Sequence, residues 1–163
     1  MPKKPTSGST PAVRALLAAG VAFTEHPYDH DPTAPSFGLE AAAALGRDPA
    51  QVFKTLLVDA GSGLAVGIVP VSATLDLKAM GAALGVKKVA MAAVADAERV
   101  TGYVAGGISP IGQRRALPTV LDSSAGRWTT LLVSGGRRGL DIELAPADLA
   151  ALTRATRAAI ASS

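Results

Sequence analysis

Lys54 lies in VFKTLLV, an apolar run that leaves little polar surface whichever way its side chains alternate. On a strand, Lys54 shares one face with Leu56 and Val58 while Phe53, Thr55 and Leu57 take the other, so the cation stands among aliphatic neighbours in either orientation. Two ends fit such a placement. The side chain begins the strand and runs its methylenes along apolar surface to solvent, or its ammonium, held beside an apolar wall, anchors a phosphate or polarises an ester carbonyl.

Gly106-Gly107-Ile108-Ser109-Pro110 joins residues that permit unusual backbone geometry to one that restricts it. A loop of this kind aims backbone N–H groups at an anion or a carbonyl, and a tight structural turn uses the same residues. Ser134-Gly135-Gly136 and Asp141 fall in one hairpin, which brings a hydroxyl and a carboxylate either to one cleft or to an ordinary turn with a surface acid.

His26, Asp29, His30 and Asp31 have the types of a metal site, but Pro27 and Pro32 deny the helix on which a His-x-x-x-His spacing would converge. The chain contains no cysteine, hence no thiolate nucleophile and no Cys-bound zinc or iron–sulfur cluster. No Gly-x-Ser-x-Gly elbow is present and neither histidine has a recognisable serine partner, so no hydrolytic triad is readable. Gly61, Gly63 and Gly67 form a glycine string between two strands, with no helix start to receive a pyrophosphate, which argues against a nucleotide-binding regulator.

The elements that must position these residues follow from periodicity and punctuation. Ser9 or Thr10 with Pro11 opens a helix with an apolar stripe at Val13, Leu16 and Leu17 and a stop at Gly20; Val21 to His26 reads as a strand, and PYDHDPTAPS as an irregular loop. Phe37 to Leu45 reads as a helix ended by Gly46, and Asp48 to Gln51 as a capping box opening a short helical turn. Lys54 to Asp59 and Leu64 to Val71 make a hairpin across Gly61-Ser62-Gly63. Leu75 to Leu84 predicts a helix, Val86 to Met91 a strand, Ala93 to Val100 a helix, and Pro118 to Leu121, Thr129 to Ser134 and Leu140 to Leu144 three strands. Pro146 to Ala161 predicts a closing amphipathic helix with Leu149, Leu152 and Ile160 inward and Arg154 and Arg157 outward. Helices and hairpins mix without strict βα alternation, which favours a mixed sheet or partly closed barrel over a doubly wound one.

At 163 residues, 48% of them hydrophobic and 18% charged, the chain is long enough for one domain with a real core and too apolar to be disordered beyond its ends. Its 33 alanines and 4% aromatic content call for a core of small aliphatic side chains and argue against an aromatic platform for nucleic acid. No apolar run nears the roughly 18 to 20 residues that span a bilayer, and Met1 to Thr10 has no apolar stretch behind Lys3 and Lys4, so a cytoplasmic protein is expected. Net charge is +3, with cation doublets at Lys3-Lys4, Lys87-Lys88, Arg114-Arg115 and Arg137-Arg138, which allow a polyanionic partner or a merely solvated surface.

VFKTLL, LDLKAMGAALG, TGYVAGGISPIGQRRALPT and VSGGRRGLDIEL, in this order and spacing, resemble the YbaK family of aminoacyl-tRNA deacylases, in particular its Cys-tRNA(Pro) deacylase branch, over about residues 10–160. Related editing domains occur inserted in bacterial prolyl-tRNA synthetases. The resemblance implies an α/β fold of the mixed α+β kind, a partly barrel-like sheet wrapped by helices, forming a single editing domain over residues 10–163, while the Pro-, Lys- and Ser-rich start of the chain predicts a flexible tail at 1–9. It places the family's essential lysine on Lys54, its GxxxP loop on Gly106, Gly107, Ile108, Ser109 and Pro110, and its pocket positions on Tyr28, Phe37, Thr55, Ser134 and Asp141. The expected activity is release of Cys, or Ala, from mischarged tRNA(Pro), with aminoacyl-tRNA as substrate, prolyl-tRNA synthetase as a candidate partner, and no cofactor, metal or membrane. Such an ester is already activated, so a site need only orient it and stabilise the oxyanion, with water or the substrate's own thiol as the nucleophile. The rival is a non-catalytic module that binds tRNA ends or prolyl-tRNA synthetase.

Overall fold

The computed structural model describes residues 9–34 and 36–162; the tail expected at 1–9 lies, apart from Ser9, outside them. Local signals set the first helices. Thr10 Oγ1 accepts the Val13 N–H (3.2 Å), Pro11 opens α1 (Pro11–Ala19), and Gly20 closes it at φ 67°. Ser36 and Gly46 do the same for α2 (Phe37–Leu45), which follows β1 (Thr24–Pro27) and the Pro-rich loop.

The hairpin of β2 (Phe53–Asp59) and β3 (Leu64–Pro70) is antiparallel and pairs Lys54 with Val69. After the short β4 (Thr74–Leu75), α3 (Leu77–Leu84), β5 (Ala90–Met91) and α4 (Val94–Thr101), the chain returns as β6 (Thr119–Asp122), parallel to β3. A 3-10 turn (Ser123–Arg127) leads to the hairpin of β7 (Leu131–Arg137) and β8 (Leu140–Leu144), then α5 (Pro146–Thr153), β9 (Thr156–Ala158) and β10 (Ala161–Ser162). The strands form a mixed five-stranded sheet, β5-β2-β3-β6-β9, a three-stranded sheet, β1-β8-β7, and a small β10-β4 pair. A parallel bridge between Val52 and Leu132 joins the two larger sheets without closing a barrel. Between them lies the main core, built around Leu16, Phe53, Ile68, Leu121, Leu131 and Ile142, each at most 2% exposed.

Three expectations need correction. The closing helix ends at Thr153 instead of running to Ala161: Arg154 adopts φ 53° and the chain leaves as β9, parallel to β6. Buried Asp122 draws it there, its Oδ1 accepting both the Ile160 and Ala161 N–H groups at 2.9 Å. Tertiary pairing thus overrides an Ala-rich helical pattern; Leu149 and Ile160 are buried and Arg154 and Arg157 exposed, as the pattern implied. Asp48 to Gln51 forms a turn, because Gln51 turns its amide to the Thr130 carbonyl (2.9 Å) instead of back to the Asp48 N–H. Finally, Val86 to Met91 yields only two strand residues, since β5 pairs β2 at Val58 and Asp59 alone.

Candidate active site

Next to the bridge between the sheets a cavity of about 340 Å³ opens, walled by residues 52–56 of the β2 segment, the first turn of α2, β7, β8 and the loop after α4. Lys54 enters from β2. It is half-buried, loss of hydration lowers its pKa below the usual lysine range, and among the described residues no carboxylate lies within 4 Å of its ammonium. Beside it the Thr55 hydroxyl is buried with no hydrogen-bond partner among the described residues, a polar group left for a ligand to satisfy.

The β7–β8 hairpin supplies the opposite wall. Ser134 and Asp141 are cross-strand neighbours, and both line the cavity. Asp141 is 5% exposed, and burial pushes its carboxyl up to about 7. Tyr28 completes this polar end; burial, then the Asp141 charge, raises its phenol to about 12.

The loop after α4 is pinned from several sides. Glu98 accepts the Ala105 N–H (2.8 Å), Tyr103 donates to the Ile111 carbonyl (2.6 Å), and the Gly107 N–H returns to Val104 (2.8 Å). Gly106, at φ 87°, holds a left-handed backbone that favours glycine, and a Cβ there would stand 2.7 Å from Arg138 Nε and 3.0 Å from the Phe37 ring, so those two side chains would have to shift. The N–H groups of Gly106 and Ile108, both cavity-lining residues, have no acceptor among the described residues. Phe37 forms part of the mouth, with the Arg138 guanidinium 4.8 Å from its ring centre.

Eight of the eleven residues proposed from sequence thus surround one cavity: Tyr28, Phe37, Lys54, Thr55, Gly106, Ile108, Ser134 and Asp141. Gly107, Ser109 and Pro110 do not line it. Gly107 packs where a Cβ would strike the Arg137 backbone at 2.7 Å, and buried Ser109 accepts the Ile111 N–H on its hydroxyl and the Gln113 amide on its carbonyl, so these residues shape the loop from behind. His26 and His30 turn elsewhere, to Glu143 (2.8 Å) and Glu40 (2.9 Å). Sequence reasoning missed Ser36, Gly38 and Ala105 in the wall and Arg138 at the rim. The Arg137-Arg138 doublet was visible, but only the hairpin turn tells the two arginines apart.

The model of the aminoacyl-tRNA editing domain family matches residues 32–152, a span that contains the loop, Lys54, Ser134 and Asp141. The chain belongs to this family. It is 38% identical over 159 residues to an Enterococcus faecalis protein provisionally named Cys-tRNA(Pro)/Cys-tRNA(Cys) deacylase EbsC, covering 94% of this chain and 93% of that one. Two solved structures share the fold. The hypothetical protein APE2540 superposes with a TM-score of 0.82 at 25% identity, over 93% of this chain and 99% of that one. A protein provisionally described as a trans-editing enzyme for prolyl tRNA synthetase does so at 0.82 and 24% identity, over 98% and 100%. No helix among the described residues of this family member is long and apolar enough to cross a membrane.

Proposed function

We propose that this chain is a trans-editing aminoacyl-tRNA deacylase that releases cysteine, with alanine the next fit, from mischarged tRNA(Pro), acting as one editing domain over residues 10–163. Family membership and the 38% identical relative support deacylation of aminoacyl-tRNA. One observation carries the mechanism: an unpaired, half-buried lysine and two loop residues whose backbone N–H groups have no acceptor among the described residues line the same small cavity as a buried carboxyl.

In this reading the aminoacyl ester enters past Phe37. Lys54 supplies positive charge to the ester oxygens, and the Gly106 and Ile108 N–H groups stabilise the oxyanion as it forms. Asp141 receives the substrate's α-ammonium, with Ser134, Thr55 and Tyr28 as further polar contacts, while Gly107, Ser109 and Pro110 hold the loop in shape. A cavity of about 340 Å³ is at the small end for ligand sites, which suits a short side chain. The nucleophile comes from water or from the substrate thiol. No side chain of the cavity is asked to attack.

Single-turnover deacylation of a panel of aminoacyl-tRNAs tests the reading. Cys-tRNA(Pro) is released fastest, with prolyl-tRNA(Pro) spared; retention of the RNA without release of any amino acid would make the chain a binding module instead.

A further inference from the structure

A second recess, of about 290 Å³, lies beside the cavity and is lined by Gly102, Tyr103, Val104, Gly107, Arg137 and Arg138 among others. Gly106 lines the cavity and Gly107 the recess, so one turn of backbone forms the wall between them. Consecutive Cα atoms stand about 3.8 Å apart, so the recess is within a nucleotide's reach of a chain end seated in the cavity.

Four arginines stand on or next to the elements that border the recess. Arg137 lines it, and the Arg114 guanidinium rests on Gly102, where a Cβ would meet Arg114 Nε at 3.5 Å. Arg138 spends its donors on the neutral Ala105 carbonyl and keeps its charge, and Arg14 reaches the Ser9 carbonyl from α1, the helix whose Pro11 also borders the recess. Among the described residues none of these four arginines has a carboxylate within 4 Å, a state they share with Arg154 and Arg157 at the far end of the chain, so what sets them apart is their grouping around one recess. Of the two acids on α4, Asp96 pairs with Arg99 and Glu98 gives one oxygen to the Ala105 N–H. Val104, 65% exposed, adds an apolar surface for a ribose or base.

We propose that this recess is the seat of the substrate's RNA backbone, with Arg114 and Arg137 holding the phosphodiesters next to the 3′-terminal nucleotide. The inference rests on the reading that the RNA 3′ end enters the cavity. Guanidinium groups suit the task, since each offers a planar fork of donors to phosphate oxygens and stays charged. Arg137 and Arg138 line the recess and Arg114 rests on its Gly102, so the cationic groups cluster directly beside the cavity.

The test uses an uncharged single-stranded RNA oligonucleotide ending in CCA, with binding read by fluorescence anisotropy across a salt series. The oligonucleotide carries no ester, so the outcome stands apart from whether the cavity cleaves one. In the double variant Arg114→Ala/Arg137→Ala, the slope of log affinity against log salt flattens by about 1.4, at about 0.7 for each phosphate no longer neutralised on a single strand. Arg154→Ala/Arg157→Ala, which alters two arginines that line neither cavity nor recess, leaves the slope in place. Arg114→Lys/Arg137→Lys keeps the charge and most of the slope. An unchanged slope in the alanine variant, an equal loss in the control pair, or a lysine variant as flat as the alanine one each overturns the proposal.

Discussion

The guanidinium of Arg138 lies 4.8 Å from the centre of the Phe37 ring while its Nε and Nη2 both hold the Ala105 carbonyl, at 3.0 and 2.7 Å. One side chain therefore ties the β7–β8 turn to the loop after α4 and to the first turn of α2, three of the walls of the cavity. Arg138→Ala should lower kcat/KM for deacylation about tenfold through kcat, because the loop N–H groups lose their fixed position. The fold should lose only about 1 kcal/mol, the scale of an exposed hydrogen bond and cation–π contact. Arg138→Lys should not rescue, since an ammonium cannot both stack flat on Phe37 and donate twice to one carbonyl. Full activity in either variant would leave the Phe37–Arg138 contact without a role.

Lys54→Ala should reduce release of Cys-tRNA(Pro) by at least about 10²-fold, the scale for removing one oriented electrostatic group, with the melting temperature preserved or raised. The rise is expected because the ammonium is half-buried without a carboxylate partner, at a cost in hydration. Gly106→Val should impair turnover more than Arg137→Ala, since the valine meets both a left-handed backbone and the Arg138–Phe37 contact. Near-normal single-turnover rates in folded Lys54→Ala would remove this lysine from the chemistry.

The parts of the fold readable in the sequence are those set by local chemistry. Thr10 with Gly20, and Ser36 with Gly46, bound their helices because capping and left-handed backbone are decided within a few residues. The β2–β3 hairpin follows from alternation and its glycine turn. The C-terminus was not readable, because what ends α5 is the open edge of β6 and buried Asp122, both more than thirty residues upstream. The site divides the same way. Lys54 stood out as a cation in an apolar strand, but that it shares a cavity with Asp141 depends on two sheets meeting at Val52 and Leu132, which no local pattern encodes. Arg138 differs from Arg137 only in standing one residue further on, in the turn itself and not at the end of β7.

Asp141 makes stability depend on pH in a stated direction. Its carboxyl titrates near 7 in the fold and near 3.9 when unfolded, so between these values the native state binds more protons. Stability therefore falls as pH rises through that window and levels off above about 7. Asp141→Asn should remove this slope, leaving the variant more stable than the parent by a few kcal/mol at pH 8 and nearly equal to it at pH 4. Deacylation should fall at least tenfold, as the α-ammonium loses its partner. Denaturant melts at the two pH values check the first point, and equal stabilisation at both would refute it.

Glu143 works in the opposite sense. Burial raises its pKa, but hydrogen bonds from Thr130 (2.5 Å), Arg47 (2.8 and 3.1 Å) and His26 (2.8 Å) outweigh that and bring it down to about 2. It binds together β1, β8, the end of α2 and the entry to β7. Its stabilisation is present above the unfolded carboxyl value near 4.3 and is lost as pH falls towards 2. Glu143→Gln should lower the melting temperature at pH 7 by several degrees, about 2–4 °C per kcal/mol for a chain of this size, and the gap should close on acidification. A gap that widens in acid would contradict the network.

The nucleophile is the last point to decide, and the cavity limits the choices. Its polar side chains are Tyr28, Ser36, Lys54, Thr55, Ser134 and Asp141. None of the hydroxyls has a histidine as partner; Ser134 accepts the Gly136 N–H and Ser36 caps α2, and the Tyr28 phenol is pushed up to about 12 and stays protonated. The attacking group then comes from water or from the substrate. A cysteinyl ester carries a thiol that reaches its own carbonyl only through a strained ring, so the cavity must fold the side chain back and hold the leaving ribose still. If this route operates, S-methyl-cysteinyl-tRNA(Pro) should bind and resist release, and Ser-tRNA(Pro), with a weaker nucleophile at the same position, should be released much more slowly than Cys-tRNA(Pro). Water attack predicts instead that Ala-, Ser- and S-methyl-Cys-tRNA(Pro) are cleaved in the order of their fit. Single-turnover rates for the four esters, with a chelator present throughout, separate the routes, and we expect the thiol route; rapid cleavage of the S-methyl ester would eliminate it and leave Lys54 and the Gly106 loop activating water.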